Sequence, residues 1–517
     1  MFQTVKNMFA KENSVKGASI ILIITLALSN ILGVFRDHFL AQKIPTDRLD
    51  IYFAAFRLPD LIFNILILSA IAAAFVPVYS TYLREKGFKA ALRLSQASLT
   101  VGIITVSVSL VVLYFLMPYL MFLLVPSFDV LKRQETVTLA RWLLISPFFF
   151  TISYFLGGIL NSHKRFLAYS IAPLIYNLSI IAGVLLFAEP YSVKGVVIGV
   201  IVGSFLHMLI QLITALRLGF YPKFIFDVKE AGVRKIFKLM LPRAIGLGAN
   251  QILLVFFTIY ASAFSGGIAI YTFADNIQTV PSVIFGTSFA TAVFPTLAGL
   301  TLSNKEDAAR FEGFFMKSAR AILFFLIPST ALVFILRAQI IRLILGYGFF
   351  GWADTHTATA TLGFFALSII AQGLIPLFAR SFYAMHDTKT PMTTTIISIV
   401  FSIMLGYFFS RSGSTEGVVG LALAFSIGSW LNLVALWVLL NKKLAIEYGQ
   451  LIPFTIKVVL LTAATSILMQ AVKMGIGSVV DINRVKFLAL QTVVVIFAGA
   501  IVYLGGAWIL RVKEIRS

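Results

Sequence analysis

The sequence predicts an all-α polytopic membrane protein with about fourteen transmembrane helices. Of its 517 residues, 59% are hydrophobic and only 12% are charged, and the mean hydropathy is +0.95. A soluble protein of this length covers its surface with far more charge. Apolar segments of about 20 residues, long enough to cross a bilayer as helices, recur along the chain. They lack the polar–apolar alternation of barrel strands.

The predicted spans are joined by short loops that leave no room for a soluble catalytic domain. An even number of spans places both termini on one side, and the excess of Lys and Arg in the even-numbered loops predicts that this side is cytoplasmic. Orientation and anionic lipid headgroups explain the net charge of +21 better than nucleic acid does. The predicted spans lie near 15–35, 51–78, 94–123, 141–160, 168–187, 195–216, 239–264, 269–300, 319–336, 357–384, 391–410, 416–440, 451–472 and 487–510.

The second half of the sequence repeats features of the first half. "AFVPVYSTYL" ends the second span and "AVFPTLAGLT" ends the eighth, which places Pro77 and Pro295 218 residues apart. His163 and His386, in the loops after spans four and ten, are 223 residues apart. Near-equal offsets indicate a duplicated six-span unit whose two copies have the same orientation. The sequence therefore predicts two parallel-repeat six-helix lobes, residues 1–222 and 223–446, and a two-helix appendage, residues 447–517.

Seven segments in order resemble the MurJ (MviN) family of lipid II flippases, within the multidrug/oligosaccharidyl-lipid/polysaccharide exporter superfamily. They are "SNILGVFRDHFLAQ", "DIYFAAFRLPDL", "AAFVPVY", "HKRFLAYSIAPLIYNLSII", "LMLPRAIGLGANQI", "YTFADNIQTVPSVIFGTSFATAVFP" and "FYAMHDTKTPM". The resemblance covers nearly the whole chain. It implies two six-helix lobes with two further helices, and movement of undecaprenyl-pyrophosphate-linked peptidoglycan precursor from the inner to the outer leaflet of the bacterial inner membrane.

A flippase must offer a charged, sugar-bearing headgroup a polar path while the polyprenyl tail stays in lipid. Pyrophosphate needs cations, and the planar fork of arginine binds phosphate oxygens in pairs. Ionisable residues within spans are costly and usually face a cavity. The candidate substrate-binding residues are Arg36, Asp37, Asp50, Arg57, Asp60, Asn64, Arg243, Asp275, Asn276 and Gln278.

Each candidate cation has a structural alternative. Arg36 and Asp37 could form an interfacial pair at a helix end, and Arg57 could simply pair with Asp60 or with Asp50. Arg243 can snorkel near the cytoplasmic start of span seven. Two other cations within spans, Arg380 and Lys457, are expected to be an anchor and a snorkelling residue.

Asp275, Asn276 and Gln278 in span eight occupy the repeat position of the stretch from Arg57 to Asn64. Asp275 could bind a coupling cation, hold an arginine across the lobes or cap a kink before Pro281. The energy source is expected to be the membrane potential or a Na⁺ or H⁺ gradient, which would act through charges within the field.

This chain departs from the family pattern at three places. Family members often carry a basic residue where this chain has Asn30, another where it has Phe63 and Asn64, and a third where it has Asn276. The candidate cavity is therefore less cationic than the usual family pattern. The headgroup site and the exact lipid-linked substrate do not follow residue by residue from the family.

Other functions fit the sequence less well. The chain has no cysteine, and its five histidines show no paired metal-ligand spacing. We expect no cofactor, no metal site and no enzyme activity, since the outer loops are too short to carry a glycosyltransferase or polymerase site. A flippase for another lipid-linked oligosaccharide or a cation-coupled drug exporter are the nearest alternatives, and a non-transporting cell-wall scaffold has no reason to bury charges. Expected partners are lipid II or a related undecaprenyl-linked precursor, membrane lipids and cell-wall synthesis proteins, without nucleic acid.

Overall fold

The computed structural model describes most of the chain as helices. The described residues are 15–68, 74–300, 305–411, 417–444, 449, 451–481 and 484–510, without the side chains of 15–24, 26, 27, 241–243 and 245–247. Within these ranges all regular structure is helical.

The helices carry the following labels, with π marking π-helical turns. Up to residue 261 they are α1 (Val15–Lys43), α2 (Thr46–Ile62), π1 (Phe63–Leu68), α3 (Val76–Glu85), α4 (Gly87–Leu124), α5 (Val130–Leu143), α6 (Ile145–Ser162), α7 (Phe166–Tyr191), α8 (Val193–Arg217) and α9 (Ala231–Ala261). From residue 267 they are α10 (Gly267–Pro281), π2 (Ser282–Thr287), α11 (Ser288–Ala298), α12 (Lys305–Ile344), α13 (Trp352–Ala366), α14 (Ile369–Ala384), α15 (Lys389–Phe409), α16 (Val418–Leu444), α17 (Leu451–Val479) and α18 (Val485–Ile509).

The helix lengths and compositions confirm the polytopic all-α class. Among the described residues, 11 helical stretches are long and apolar enough to cross a membrane, and α13 with α14, bent by 40°, makes up to 12. The helices α1 and α9 are not among these stretches, because some of their side chains lie outside the described part. The described part of α9 contains a shorter apolar helix, Gly248–Ala261. The count of fourteen therefore stays a prediction.

Two helices continue well beyond the predicted spans. Spans 319–336 and 451–472 end just before Arg337 and Lys473, whereas α12 continues to Ile344 and α17 continues to Val479. A charge ends an apolar window without ending a helix, because lysine and arginine are good helix formers when their charges find polar partners.

The described chain forms two compact units, one up to Ala269 and one from Ile270. The predicted lobe boundaries follow the sequence repeat, whereas these units follow packing, and α9 packs within the first unit. The lobe and appendage boundaries stay predictions.

Small residues let α7 and α8 cross closely in the first unit. A Cβ atom added at Gly199 would lie 2.8 Å from the Cα atom of Gly183 and 2.8 Å from the carbonyl oxygen of Ser179. Both atoms belong to backbone, which cannot move aside as a side chain can. Glycine at this crossing is therefore a packing requirement, of the kind that small residues meet between membrane helices.

We expect Gly199→Ala to destabilise the protein by about 2 kcal/mol, because the added methyl group forces two backbones apart. Thermal unfolding in detergent, followed by intrinsic fluorescence, measures the change. The control is Gly475→Ala in α17, where an added Cβ meets nothing within 4 Å and helix propensity favours alanine. Equal unfolding temperatures for Gly199→Ala and the wild type would contradict the close crossing.

In the second unit, Asp387 fastens the loop between α14 and α15 to the end of α16. Its carboxylate accepts hydrogen bonds from the Lys443 ammonium, from the Thr390 hydroxyl at 2.7 Å and from the Thr390 backbone N–H at 3.0 Å. Partial burial acts to raise the pKa of Asp387, but the hydrogen bonds from Lys443 and Thr390 outweigh it and lower this pKa to about 2.

Because the folded-state pKa of Asp387 is depressed, its stabilising contribution is present above the ordinary carboxyl value near 3.8 and is lost as the pH falls towards 2. Asp387→Asn is therefore expected to lower the unfolding temperature at pH 6. The difference from the wild type should shrink between pH 4 and pH 2, which unfolding scans across that range measure. A difference that stays constant down to pH 2 would show that the asparagine acts only through packing.

Candidate functional site

Arg36 lies near the carboxyl end of α1, and its neighbour restrains it. The Nε and Nη2 atoms of Arg36 donate to Oδ1 of Asp37 at 3.0 and 2.8 Å. The Asp37 side chain is nearly buried, whereas 22% of the Arg36 side chain stays exposed. The pair thus presents a fixed guanidinium whose charge is only partly neutralised, which is what a phosphate group requires.

Asn177 of α7 connects the Arg36 pair to the next helix. Its Oδ1 atom accepts from Nη1 of Arg36 at 3.4 Å, and its Nδ2 atom lies 3.3 Å from the Ser29 hydroxyl and 3.3 Å from the Pro173 carbonyl. The sequence-based search missed Asn177. A lone amide in the apolar stretch "LIYNLSII" was the available signal, because a polar side chain within a span usually has a partner.

Arg57 of α2 points towards α9, and its Nε atom donates to the Thr258 hydroxyl at 2.9 Å. That hydroxyl donates onward to the Leu254 carbonyl at 2.7 Å, and Thr258 is buried. Arg57 has further interactions besides this one. Thr258, a second residue that the sequence did not single out, thus fixes one edge of the guanidinium.

Asp60 follows Arg57 by three residues in α2, and its carboxyl lies within the electrostatic influence of Arg57 and Arg36. An ion pair between Arg57 and Asp60 stays a prediction. Asn64 follows one turn later, and its Nδ2 atom donates to the Asp60 backbone carbonyl at 2.8 Å. The amide of Asn64 is therefore engaged by its own helix in this structure.

Asp50 has a different set of partners. Its carboxylate is fully buried and accepts from the backbone N–H groups of Gly266 at 2.8 Å and Ala269 at 3.0 Å, where α10 begins. The Lys132 ammonium lies 3.6 Å away. None of the described contacts of Asp50 is with Arg57, so its carboxylate caps a helix start and satisfies backbone donors.

The polar cluster of α10 is described within the second unit. The Nε2 atom of Gln278, a buried residue, donates to Oδ1 of Asp275 at 2.9 Å, and its Oε1 atom accepts from the Ser368 hydroxyl at 3.2 Å. Ser368 lies at the bend between α13 and α14, so Gln278 ties Asp275 to that bend. Asn276 is partly exposed. The described residues contain no group of three or more His, Asp or Glu able to hold a metal ion, and a coupling-ion role for Asp275 stays a prediction.

Three further cations, Arg243, Arg380 and Lys457, lie within the predicted spans. The side chain of Arg243 lies outside the described residues. In the second unit, Nη1 of Arg380 donates to the Thr287 carbonyl at 3.2 Å, as the predicted anchor would. Lys457, near the start of α17, is exposed.

Each polar cluster is followed by a π-helical turn. π1 begins three residues after Asp60, and π2 begins directly after Pro281. Pro59 and Pro281 each remove a backbone donor, which loosens the helix ahead of the turn. π-helical turns are rare and cluster at functional sites, so their recurrence at both places favours the two clusters as functional.

One protein family matches most of the chain. The family model described as "Lipid II flippase MurJ" matches residues 46–495. The chain is 28% identical over 462 residues to the probable lipid II flippase MurJ of Rickettsia prowazekii, covering 88% of this chain and 90% of the relative. It is 25% identical over 430 residues to the lipid II flippase MurJ of Burkholderia cenocepacia, covering 80% and 82%.

Solved structures show the same fold. A lipid II flippase MurJ in an inward closed conformation superposes with a TM-score of 0.78 at 23% identity, covering 96% of this chain and all of that one. An inward-facing multidrug resistance MATE family transporter of the MOP superfamily gives a TM-score of 0.68 at 12% identity, covering 83% and 98%. Since the family model spans most of the sequence, the chain belongs to the lipid II flippase MurJ family.

Proposed function

We propose that this protein moves lipid II, the undecaprenyl-pyrophosphate-linked peptidoglycan precursor, from the inner to the outer leaflet by alternating access of its two lobes. The observation that supports this most is that Arg36, at the end of the first predicted span, and Arg57, in the second, are both fixed by hydrogen bonds in a chain that belongs to this family. Charged groups are costly in and beside apolar spans, so the retention of two arginines favours an anionic substrate.

In this proposal the two arginines bind the pyrophosphate. Arg36 keeps part of its guanidinium exposed while Asp37 and Asn177 fix its plane. Arg57, held by Thr258, supplies a second cation, and Asp60 reduces the charge that the empty site carries. Binding replaces the restraining carboxylates as partners of the guanidinium groups, so release requires only that Asp37 and Asp60 recover them. We also assign headgroup binding to Asn64, Arg243, Asp275, Asn276 and Gln278.

The proposal includes the cellular setting. The protein lies in the bacterial cytoplasmic (inner) membrane with both termini in the cytoplasm, as the distribution of Lys and Arg favours. It acts as a transporter without enzyme activity or cofactor, and the membrane potential or a Na⁺ or H⁺ gradient drives it. Membrane lipids and cell-wall synthesis proteins are its proposed neighbours.

The decisive experiment is complementation of a flippase-depleted bacterium, with lipid II in the outer leaflet measured directly. We expect the wild-type chain to restore both growth and the accessibility of lipid II to an external labelling reagent. Restored growth without a change in lipid II accessibility would overturn the proposal.

One observation favours a second candidate, a flippase for a different lipid-linked oligosaccharide. The Asn30 amide nitrogen is buried and has no hydrogen-bond partner among the described residues, and Asn30 stands where family members often carry a basic residue. A buried free N–H group can donate to a sugar oxygen. If the protein restores export of another undecaprenyl-linked oligosaccharide but leaves lipid II in the inner leaflet, this second candidate is correct.

A further inference from the structure

Two cations meet within the second unit, away from the clusters described above. Arg337 lies in α12 and Lys473 in α17, each about 9 to 11 Å before the end of its helix at the rise of an α-helix. The Lys473 ammonium and the Arg337 guanidinium donate to the carbonyls of two adjacent residues of α12, Ile335 and Phe334, so two like charges lie close together there. Both lie beyond the predicted spans, which ended just before them.

The protein itself compensates this repulsion only in part. The Lys473 ammonium donates to the Ile335 carbonyl at 2.9 Å. Nη1 of Arg337 donates to the Phe334 carbonyl at 2.7 Å, and the guanidinium lies over the Phe334 ring at 4.5 Å. Among the described residues, neither cation forms an ion pair with a carboxylate. Two like charges in membrane-spanning helices without an acid are unfavourable unless an anion joins them.

Lys473 does not behave as a snorkelling residue. A snorkelling lysine extends its ammonium to water at the helix end, but here the ammonium bonds to a carbonyl within the span. Gln491 of α18 fixes the adjoining backbone, since its Nε2 atom donates to the Lys473 carbonyl at 2.7 Å. The Lys473 backbone is thereby held by α18 and its ammonium by α12, at the carbonyl next to the one that Arg337 contacts.

The surroundings of the two cations have the character of a lipid-facing surface. Phe334 is 44% exposed and Met474 is 65% exposed, so apolar side chains frame the charges. A ligand with an anionic group and an apolar chain would match both features.

We propose that Arg337 and Lys473 bind the phosphate group of an anionic membrane lipid at the end of α12, α17 and α18. The planar fork of Arg337 pairs with phosphate oxygens and Lys473 adds a point charge. The acyl chain lies along the exposed apolar faces. A glycerophospholipid such as phosphatidylglycerol carries all of these groups, and an isoprenyl phosphate shares the phosphate and the apolar chain.

The test is lipid retention by the purified full-length protein. Phosphatidylglycerol is titrated into phosphatidylcholine nanodiscs, and bound lipid is counted by native mass spectrometry after release into detergent. Arg337→Gln and Lys473→Met should each weaken phosphatidylglycerol binding about tenfold, the change expected from losing one charge-assisted hydrogen bond. Thermal unfolding confirms that each variant is folded.

Matched controls separate the site from general surface charge. Arg411→Gln removes an arginine that also stacks on an aromatic ring, Tyr407 at 4.3 Å, and Lys457→Met removes an exposed lysine from α17 itself. Both should retain phosphatidylglycerol as the wild type does. Equal retention by the double variant Arg337→Gln/Lys473→Met, or equal loss in the controls, would overturn the proposal.

Competition identifies the source of the phosphate. If phosphatidylglycerol is the occupant, equimolar undecaprenyl phosphate leaves it bound. If undecaprenyl phosphate displaces it from the wild type but leaves the residual lipid of the Arg337→Gln/Lys473→Met variant in place, the same two cations bind the isoprenyl phosphate. The assay measures binding without transport, so its outcome is independent of whether the proposed flippase activity holds.

Discussion

Arg36→Ala and Arg57→Ala are each expected to abolish growth of a flippase-depleted bacterium while the protein is still made and inserted. Arg36 carries a partly exposed guanidinium fixed by Asp37 and Asn177, and Arg57 is fixed by Thr258. Losing one charge-assisted contact to a phosphate weakens binding by about 1.5 to 3 kcal/mol, or more than tenfold. Colony formation after depletion measures the effect, and immunoblotting of membranes measures expression.

The matched control is Lys457→Ala, which removes an exposed cation from another span and should support full growth. Arg36→Lys separates charge from geometry, because lysine keeps the charge but loses the planar fork; we expect slow growth. Full growth of both alanine variants would show that the two arginines do not form the substrate site.

Asp50→Ala is expected to cause the largest loss of stability, about 3 kcal/mol, together with loss of complementation. The fully buried carboxylate satisfies the backbone N–H groups of Gly266 and Ala269, and alanine would leave both donors without a partner. Each buried, unsatisfied donor costs about 1 to 3 kcal/mol. Lys132 would also lose an anion 3.6 Å away. Thermal unfolding of the purified variant measures the loss.

Two variants test whether capping is the cause. Asp50→Asn retains one acceptor oxygen and should recover part of the stability. Asp47→Asn alters the neighbouring carboxylate, which also contacts Lys132. Because the Asp47 side chain is half exposed, this variant should change the unfolding temperature little. If Asp50→Ala unfolds at the wild-type temperature, the carboxylate is not needed to begin α10.

The helices were predictable because hydrophobic length is a local property. The stretches around residues 94–123 and 195–216 needed only their own apolar residues to be recognised, and α4 and α8 contain them. Recognition failed where a charge interrupts an apolar run, as at Arg337 and Lys473. There the helix continues because a carbonyl or an aromatic ring from the fold accommodates the cation.

The candidate site was predictable only as a set of residue types. Arg36, Arg57 and Asp60 stand out because ionisable groups are costly in spans. Their partners Asn177 and Thr258 lie 141 and 201 residues away, and no local pattern connects such distances. Asp50 was expected near Arg57 because both lie in one helix, but its side chain meets α10 instead.

The π-helical turns escaped prediction because "FNILIL" and "SVIFGT" have no composition that distinguishes them from α-helix.

The two π-helical turns have a geometric consequence. Each contains one residue more than regular α-helical winding would accommodate. If π1 rewound into α geometry, every residue after it would turn by about 100° around the helix axis, since one residue subtends that angle at 3.6 residues per turn. Such a change would bring different side chains to a given neighbour, while the backbone hydrogen bonds of only one helical turn are rearranged. Rewinding of Phe63–Leu68 or Ser282–Thr287 would therefore rotate the part of the helix after each polar cluster about the helix axis, whereas a hinge would swing that part sideways.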